Sequence, residues 1–183
     1  MITPIKDKLN KAKPALKEAL GKKNEFDLPR ITKVVVSSGT GKAKDPKRNT
    51  LIADRLAKIT GQKPALRGAK KSIATFKVRQ GDIVGIAVTL RGDRMYKFLD
   101  KLFNIAMPRM RDFKGFAETS IDNIGNLTIG LREHVVFPET SDEDIKDVFG
   151  MSITIVTTAK NKADALEFFK QMGFPFKKVK GVK

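Results

Sequence analysis

The chain has 183 residues, no cysteine, and 37 Lys plus Arg against 20 Asp plus Glu, a formal net charge of +17. This length suits one domain with a buried core, and the missing cysteines exclude disulfides, thiolate catalysis and Cys-ligated metals. Such a positive field selects polyanionic partners, while the N-terminal MITPIKDKLNKAK lacks an apolar signal core and no apolar run nears the roughly 20 residues that span a bilayer. The expectation is a cytoplasmic protein with no membrane segment. Taken in chain order, residues 5–20 space Ile5, Leu9, Leu16 and Leu20 as a helix, kinked or divided at Pro14, with Gly21 as its stop and a solvated basic face. ITKVVVSSG, 31–39, is β-branched and predicts a buried strand. Residues 47–60 predict a helix with Leu51, Ile52, Leu56 and Ile59 inward, ended by Gly61. A short strand follows near Pro64–Arg67, and a strand over 83–92.

Met95, Phe98, Leu99, Leu102, Phe103 and Ala106 form one wide apolar helical stripe, a core face, which Pro108 ends. Residues 126–137 predict a strand, 138–150 a loop with a short helix, and MSITIVTTA, 151–159, a buried strand. Residues 161–173 predict the last helix, with Asn161 as N-cap and Gly173 beyond its C-terminus. A basic tail, 177–183, closes the chain. The mixture predicts an α+β fold: a mainly antiparallel sheet with helices packed on one face, the other face free to bind. The domain expectation is a single unit, 1–183.

No motif assembles a nucleophile, a base and an orienting group. GTGK, 39–42, lacks the spacing of a phosphate loop, since Ala43 follows Lys42. KGFA, 114–117, opens like an RNA-recognition motif, but Glu118 and Thr119 break the match. His134, the one histidine, has no carboxylate pair at ligand spacing and reads as structural. Glu139, Asp142, Glu143, Asp144 and Asp147 lack the spacing of a calcium loop and read as a solvated acidic loop or an acidic docking patch. No metal or cofactor is expected. Against these stands GQKPALRGAKKSIATFKVRQGD, 61–82, dense in cations and almost free of acids. Lys63, Arg67, Lys70, Lys71, Lys77 and Arg79, with Lys42, Lys44, Lys47, Arg48 and Arg91, point to phosphate neutralisation. Gln62, Ser72 and Thr89 supply neutral hydrogen-bonding groups among them, which suits RNA. A membrane-surface protein would want aromatics in the basic helix 5–20, which has none. A nucleic-acid enzyme would want carboxylates near the basic stretch, and the acidic cluster is distant in sequence.

GQKP, AKKSI, FKVRQGD, VTLRGDRMY and PRMRDFKGF, followed by REHVVFPE, GMSITIVTTAK and GFPF, resemble in order the signature blocks of the bacterial large-subunit ribosomal protein number five, the 5S rRNA binder, over about residues 26–176. The resemblance implies a ferredoxin-like sandwich whose free sheet face meets RNA. It implies no catalysis. It implies a structural constituent of the large ribosomal subunit that binds 5S rRNA, helps attach it to the large-subunit rRNA in the central protuberance, and acts as a monomer within the ribosome. It also implies contacts with the P-site tRNA and with a small-subunit head protein at an intersubunit bridge. Carried over by position, Ser37, Gly39, Gly41, Lys42, Gln62, Lys63, Thr89 and Arg91 are expected at rRNA. Lys70, Lys71, Ser72, Phe76, Lys77 and Arg79 are expected at tRNA, on a loop that could extend as a flexible arm. Asp142, Glu143, Asp144 and Asp147 are expected at the bridge. The chain departs from the family pattern at Ser37 and Ser38, where the family has Asn-Met, in IDNIGNL, 121–127, where the family has FDGRGNY, and at His134, where it has Gln.

Overall fold

The computed structural model describes residues 4–41, 45–110, 113–140 and 147–177. Five strands form one antiparallel sheet: β1 (Ile31–Gly39), β2 (Ala65–Gly68), β3 (Ile83–Leu90), β4 (Leu127–Leu131) and β5 (Met151–Thr157), in the order β2-β3-β1-β5-β4. Four helices accompany it: α1 (Ile5–Ala19), α2 (Pro46–Thr60), α3 (Gly92–Lys101) and α4 (Lys162–Gln171). The α+β expectation is met.

Strand periodicity explains the layering. Val34 and Val36 alternate with half-buried Val35 and Ser37 in β1, and Ile153 and Ile155 alternate with Ser152 and Thr154 in β5. The apolar set faces Leu16, Ile52, Leu56, Leu99 and Phe168 in one continuous core. The opposite face carries no helix among the described residues.

Helix ends follow their capping chemistry. The Asp45 carboxylate accepts the Lys47 N–H before α2, and Gly61 closes that helix at φ 67°. The Asn161 side chain accepts the Asp164 N–H before α4. The Ile5 N–H donates to Asp100 Oδ1 at 2.6 Å, which fastens the start of α1 to α3.

Three elements differ from the sequence reading. α1 runs unbroken through Pro14, because the proline lies on the exposed side, where the Asn10 carbonyl that loses its donor faces water. α3 does not end before Pro108. It passes into a π-helical turn, Leu102–Ala106, in which the Met107 N–H reaches the Leu102 carbonyl, and then a last turn, Met107–Arg109. The wider turn shifts the bonding register just before the proline. β4 stops at Leu131, because its partner β5 begins at Met151, directly opposite. Val135, Val136 and Phe137, expected in a strand, fold instead into a 3-10 turn, His134–Val136, and the residue after it.

His134 is fully buried. Its ring stacks on Phe149 at 4.1 Å, and its Nδ1 accepts the Phe149 N–H at 3.3 Å. It is a structural residue, as expected. The divergent 121–127 segment forms a tight turn. Asp122 Oδ1 accepts the N–H groups of Ile124 and Asn126 at 3.1 and 2.7 Å, and Asp122 Oδ2 accepts the Asn126 amide at 2.8 Å. Gly125 sits at φ 87°, and a Cβ there would meet the Ala159 Cβ at 2.6 Å, so no other residue fits.

Candidate nucleic-acid interface

The free face of the sheet is built almost wholly from small side chains. One row crosses all five strands: Ala65 opposite Ala87, Ala87 opposite Ser37, Ser37 opposite Ser152, and Ser152 opposite Gly130. A second row carries Thr89, Val35, Thr154 and Thr128, with the two last hydroxyls 3.2 Å apart. A third begins at Gly39 and runs through Gly85 to Arg67. Such a surface is low, so a broad rigid partner reaches backbone and hydroxyl groups together. Hydroxyls both donate and accept, which matches sugar 2′-OH and phosphate groups.

Of the residues expected at rRNA, Ser37 and Thr89 lie on this face and Gly39 at its margin. Gly41 follows at one end of the sheet. Gln62, Lys63 and Arg91 occupy turns at the other end. Lys42 lies outside the described residues. The Gln62 amide donates to the Thr89 carbonyl at 3.3 Å, so its NH₂ group braces the sheet while Gln62 stays half-exposed. Ser37 and Ser38 have opposite roles. Ser37 faces out, whereas Ser38 is buried and donates to the Gly150 carbonyl at 2.7 Å. Ser152, Thr154, Thr128, Ala87 and Gly130 were not picked out from sequence. For Thr128, Ser152 and Thr154 the signal was the polar half of the period-two alternation in β4 and β5.

The segment 70–82 is a closed hairpin and not a flexible arm. Ile73 and Val78 exchange both backbone hydrogen bonds, the Ser72 hydroxyl accepts the Gln80 N–H at 2.9 Å, and Asp82 Oδ2 accepts the Arg79 N–H at 2.9 Å. Lys77 turns the tip at φ 51°. Phe76 is 71% exposed there. Among the described residues, Lys63, Arg67, Lys70, Lys71 and Arg91 form no ion pair. Their charge is available to a polyanion.

Of the residues expected at the bridge, Asp142, Glu143 and Asp144 lie outside the described residues, and Asp147 is exposed. Glu139, in the same acidic stretch, is bound internally. It pairs with Lys101 Nζ, which also donates to the Ile59 carbonyl at 2.6 Å. No group of three or more His, Asp or Glu side chains among the described residues could hold a metal ion. No described helix is long and apolar enough to cross a membrane.

Two family profiles match the chain. That of ribosomal protein L5 covers residues 24–79, and that of the C-terminus of the same ribosomal family covers residues 83–176. The chain belongs to the ribosomal protein L5 family. It is 51% identical over 165 residues to the large ribosomal subunit protein uL5 of Natranaerobius thermophilus, covering 90% of this chain and 92% of that protein. It is 49% identical over 175 residues to uL5 of Carboxydothermus hydrogenoformans, covering 94% and 97%, and 48% identical over 178 residues to uL5 of Desulforamulus reducens, covering 96% and 98%. The family is one of structural ribosomal proteins of the large subunit and not of enzymes. The sheet draws on both matched stretches, since β1 from the first pairs with β3 and β5 from the second.

Proposed function

We propose that this chain, as a structural protein of the large ribosomal subunit, holds 5S rRNA on its free sheet face and helps fasten it to the large-subunit rRNA in the central protuberance. The observation that supports this most is the row of Gly, Ser and Ala residues across all five strands, flanked by cations that have no ion pair among the described residues. RNA backbone lies on the row, Ser37, Thr89 and the β5 hydroxyls meet sugar and phosphate groups, and Lys63, Arg67 and Arg91 neutralise phosphates at the margins. Gly39, Gly41 and Lys42 carry the same contact around one end of the sheet.

In this reading the 70–82 hairpin presents Lys70, Lys71, Ser72, Phe76, Lys77 and Arg79 to the P-site tRNA, where an aromatic and several cations suit an exposed nucleic acid. Asp142, Glu143, Asp144 and Asp147 meet a basic protein of the small-subunit head at the intersubunit bridge, because carboxylates repel RNA and attract cations. The chain acts as a single domain and a monomer within the cytoplasmic ribosome. The test is a gel-shift titration with 5S rRNA, with transfer RNA and duplex DNA as competitors. Preference for 5S rRNA is expected, and equal affinity for all three would refute the assignment.

A further inference from the structure

A groove of about 1310 Å³ lies between α2 and the 70–82 hairpin. One wall is α2, which offers Ala53 and Ala57 one turn apart and so presents little relief. Leu66 and Ile83 form the floor, and Ile73 and Val78 the far wall. Leu66, Ile73 and Ile83 are 53, 47 and 40% exposed. A contiguous apolar surface on so charged a protein marks a place of contact.

The groove opens away from the small-residue face. Leu66 stands opposite Ile86, whose side chain belongs to the core on the helix side of the sheet. RNA on the free face and tRNA on the hairpin therefore leave the apolar floor and the α2 wall of the groove uncovered, and touch it only at its rim, through Gly41, Lys63, Ser72, Lys77 and Arg79. Its chemistry also argues against a base, because no described lining residue is aromatic and stacking platforms are what unpaired bases seek. Apolar walls suit aliphatic side chains.

The rim sets the sign of the occupant. Its two carboxylates are already engaged: Asp54 pairs with Lys58 at 3.3 Å and Arg55 at 3.5 Å, and Asp82 accepts the Arg79 N–H. Lys63 on the same rim has no ion pair among the described residues. In the α2 wall, Asn49 is 9% exposed, and its Oδ1 has no hydrogen-bond donor among the described residues. A backbone N–H of an inserted chain is the donor such an acceptor lacks.

We infer that this groove docks an aliphatic peptide segment of a protein partner, flanked by acidic residues. The apolar part fills the space between Ala57 and Ile73, and the flanking carboxylates meet the cationic rim. Ala53 and Ala57 belong to no RNA contact described above, so the two surfaces can be altered separately.

The probe is a short fluorescein-labelled peptide of leucine and isoleucine with glutamates at both ends, titrated into the full chain and followed by anisotropy. A matched peptide carrying lysines at both ends serves as the comparison. The glutamate peptide is expected to bind at least roughly tenfold more tightly than the lysine peptide and to weaken with salt. Amide shifts are expected at Ala53, Ala57 and Leu66 in ¹⁵N-resolved NMR. Ala57→Glu, and separately Ala53→Glu, should abolish peptide binding while leaving the 5S rRNA gel shift and the thermal melt unchanged. Equal binding of both peptides, shifts confined to other surfaces, displacement of the peptide by an oligouridine RNA, or self-association that protects the same amides would each overturn the proposal.

Discussion

Ser37 and Ser152 face each other across the central strands, on the side of the sheet that no described helix covers, with Ala87 and Gly130 as their outer neighbours. Over that width nothing projects beyond a hydroxymethyl group. Replacing Ser152 by Phe raises an obstacle in the middle of the row without touching the core. Affinity for 5S rRNA is expected to fall by at least roughly tenfold, the scale of one lost cluster of backbone contacts, with the melting midpoint little changed. Gel shift and thermal circular dichroism check the pair. Unchanged affinity would place the RNA elsewhere.

Positioning and shape reading should separate by mutation at one end of the sheet. Lys63→Ala should weaken binding to every RNA and lower the log–log salt slope by about 0.7 to 0.9, one phosphate contact. Thr89→Val keeps the volume and removes the hydroxyl, so it should lower the preference for 5S rRNA over transfer RNA and spare the slope. Gln62→Ala should do both that and loosen the strand pair, because its amide braces the Thr89 carbonyl. Titrations at several salt concentrations distinguish the three.

Two surfaces should respond to charge reversal in different assays. Lys70, Lys71 and Lys77 changed together to Glu should weaken retention of tRNA in the P site and affect subunit joining less. Asp142, Glu143 and Asp144 changed together to Lys should slow subunit joining and leave 5S rRNA binding intact, since rim charges act mainly on association. Filter binding of tRNA and light-scattering measurements of subunit joining are the readouts. Loss of 5S rRNA by the second variant would contradict the arrangement.

The Asp122 turn gives stability a defined pH dependence. Burial raises the carboxyl, but the N–H donors of Asn126, Ile124 and Gly125 and the Asn126 amide outweigh it and hold it below its usual value of 3.8. A carboxyl lowered on folding stabilises the folded chain above its unfolded value, and that contribution is lost as pH falls through the folded one. Asp122→Ala should cost about 1 kcal/mol at neutral pH, or roughly 2–4 °C in melting midpoint. The gap to the parent chain should begin to narrow as pH falls below about 4 and keep shrinking toward pH 3. Thermal melts from pH 7 to pH 3 provide the check.

His134→Leu should destabilise by about 1–3 kcal/mol, because the buried Phe149 N–H loses its acceptor. His134→Gln restores an acceptor and should recover much of the loss. Urea unfolding of the two variants reads the difference.

The sequence disclosed most where the physics is periodic. β1 is β-branched along most of its length and β5 alternates apolar and polar residues, and their limits were legible to within two residues. α4 was legible from Asn161 and Gly173, whose local roles need no distant partner. The end of β4 was hidden because Val135, Val136 and Phe137 look like strand residues, and only the start of β5 at Met151 decides that they are not. Pro14 and Pro108 misled for a related reason. A proline's cost depends on whether its freed carbonyl meets water or a wider turn, and neither is local information. At the candidate site, the cations announced themselves by composition. The small-residue row did not, because its members come from five separated segments and become neighbours only through register.

That register also sets a schedule. Ser38 binds the Gly150 carbonyl across 112 residues of chain, and the same stretch separates β1 from its partner β5. At bacterial rates of synthesis of about 5–20 residues per second, β1 waits on the order of ten seconds on the ribosome before β5 exists. Throughout that interval the middle strand of the finished sheet is an edge, rich in valine and able to pair with any passing strand. A nascent chain halted before Met151 is therefore an aggregation hazard. The protein depends, early in its life, on whatever shields an open edge while it is still being translated.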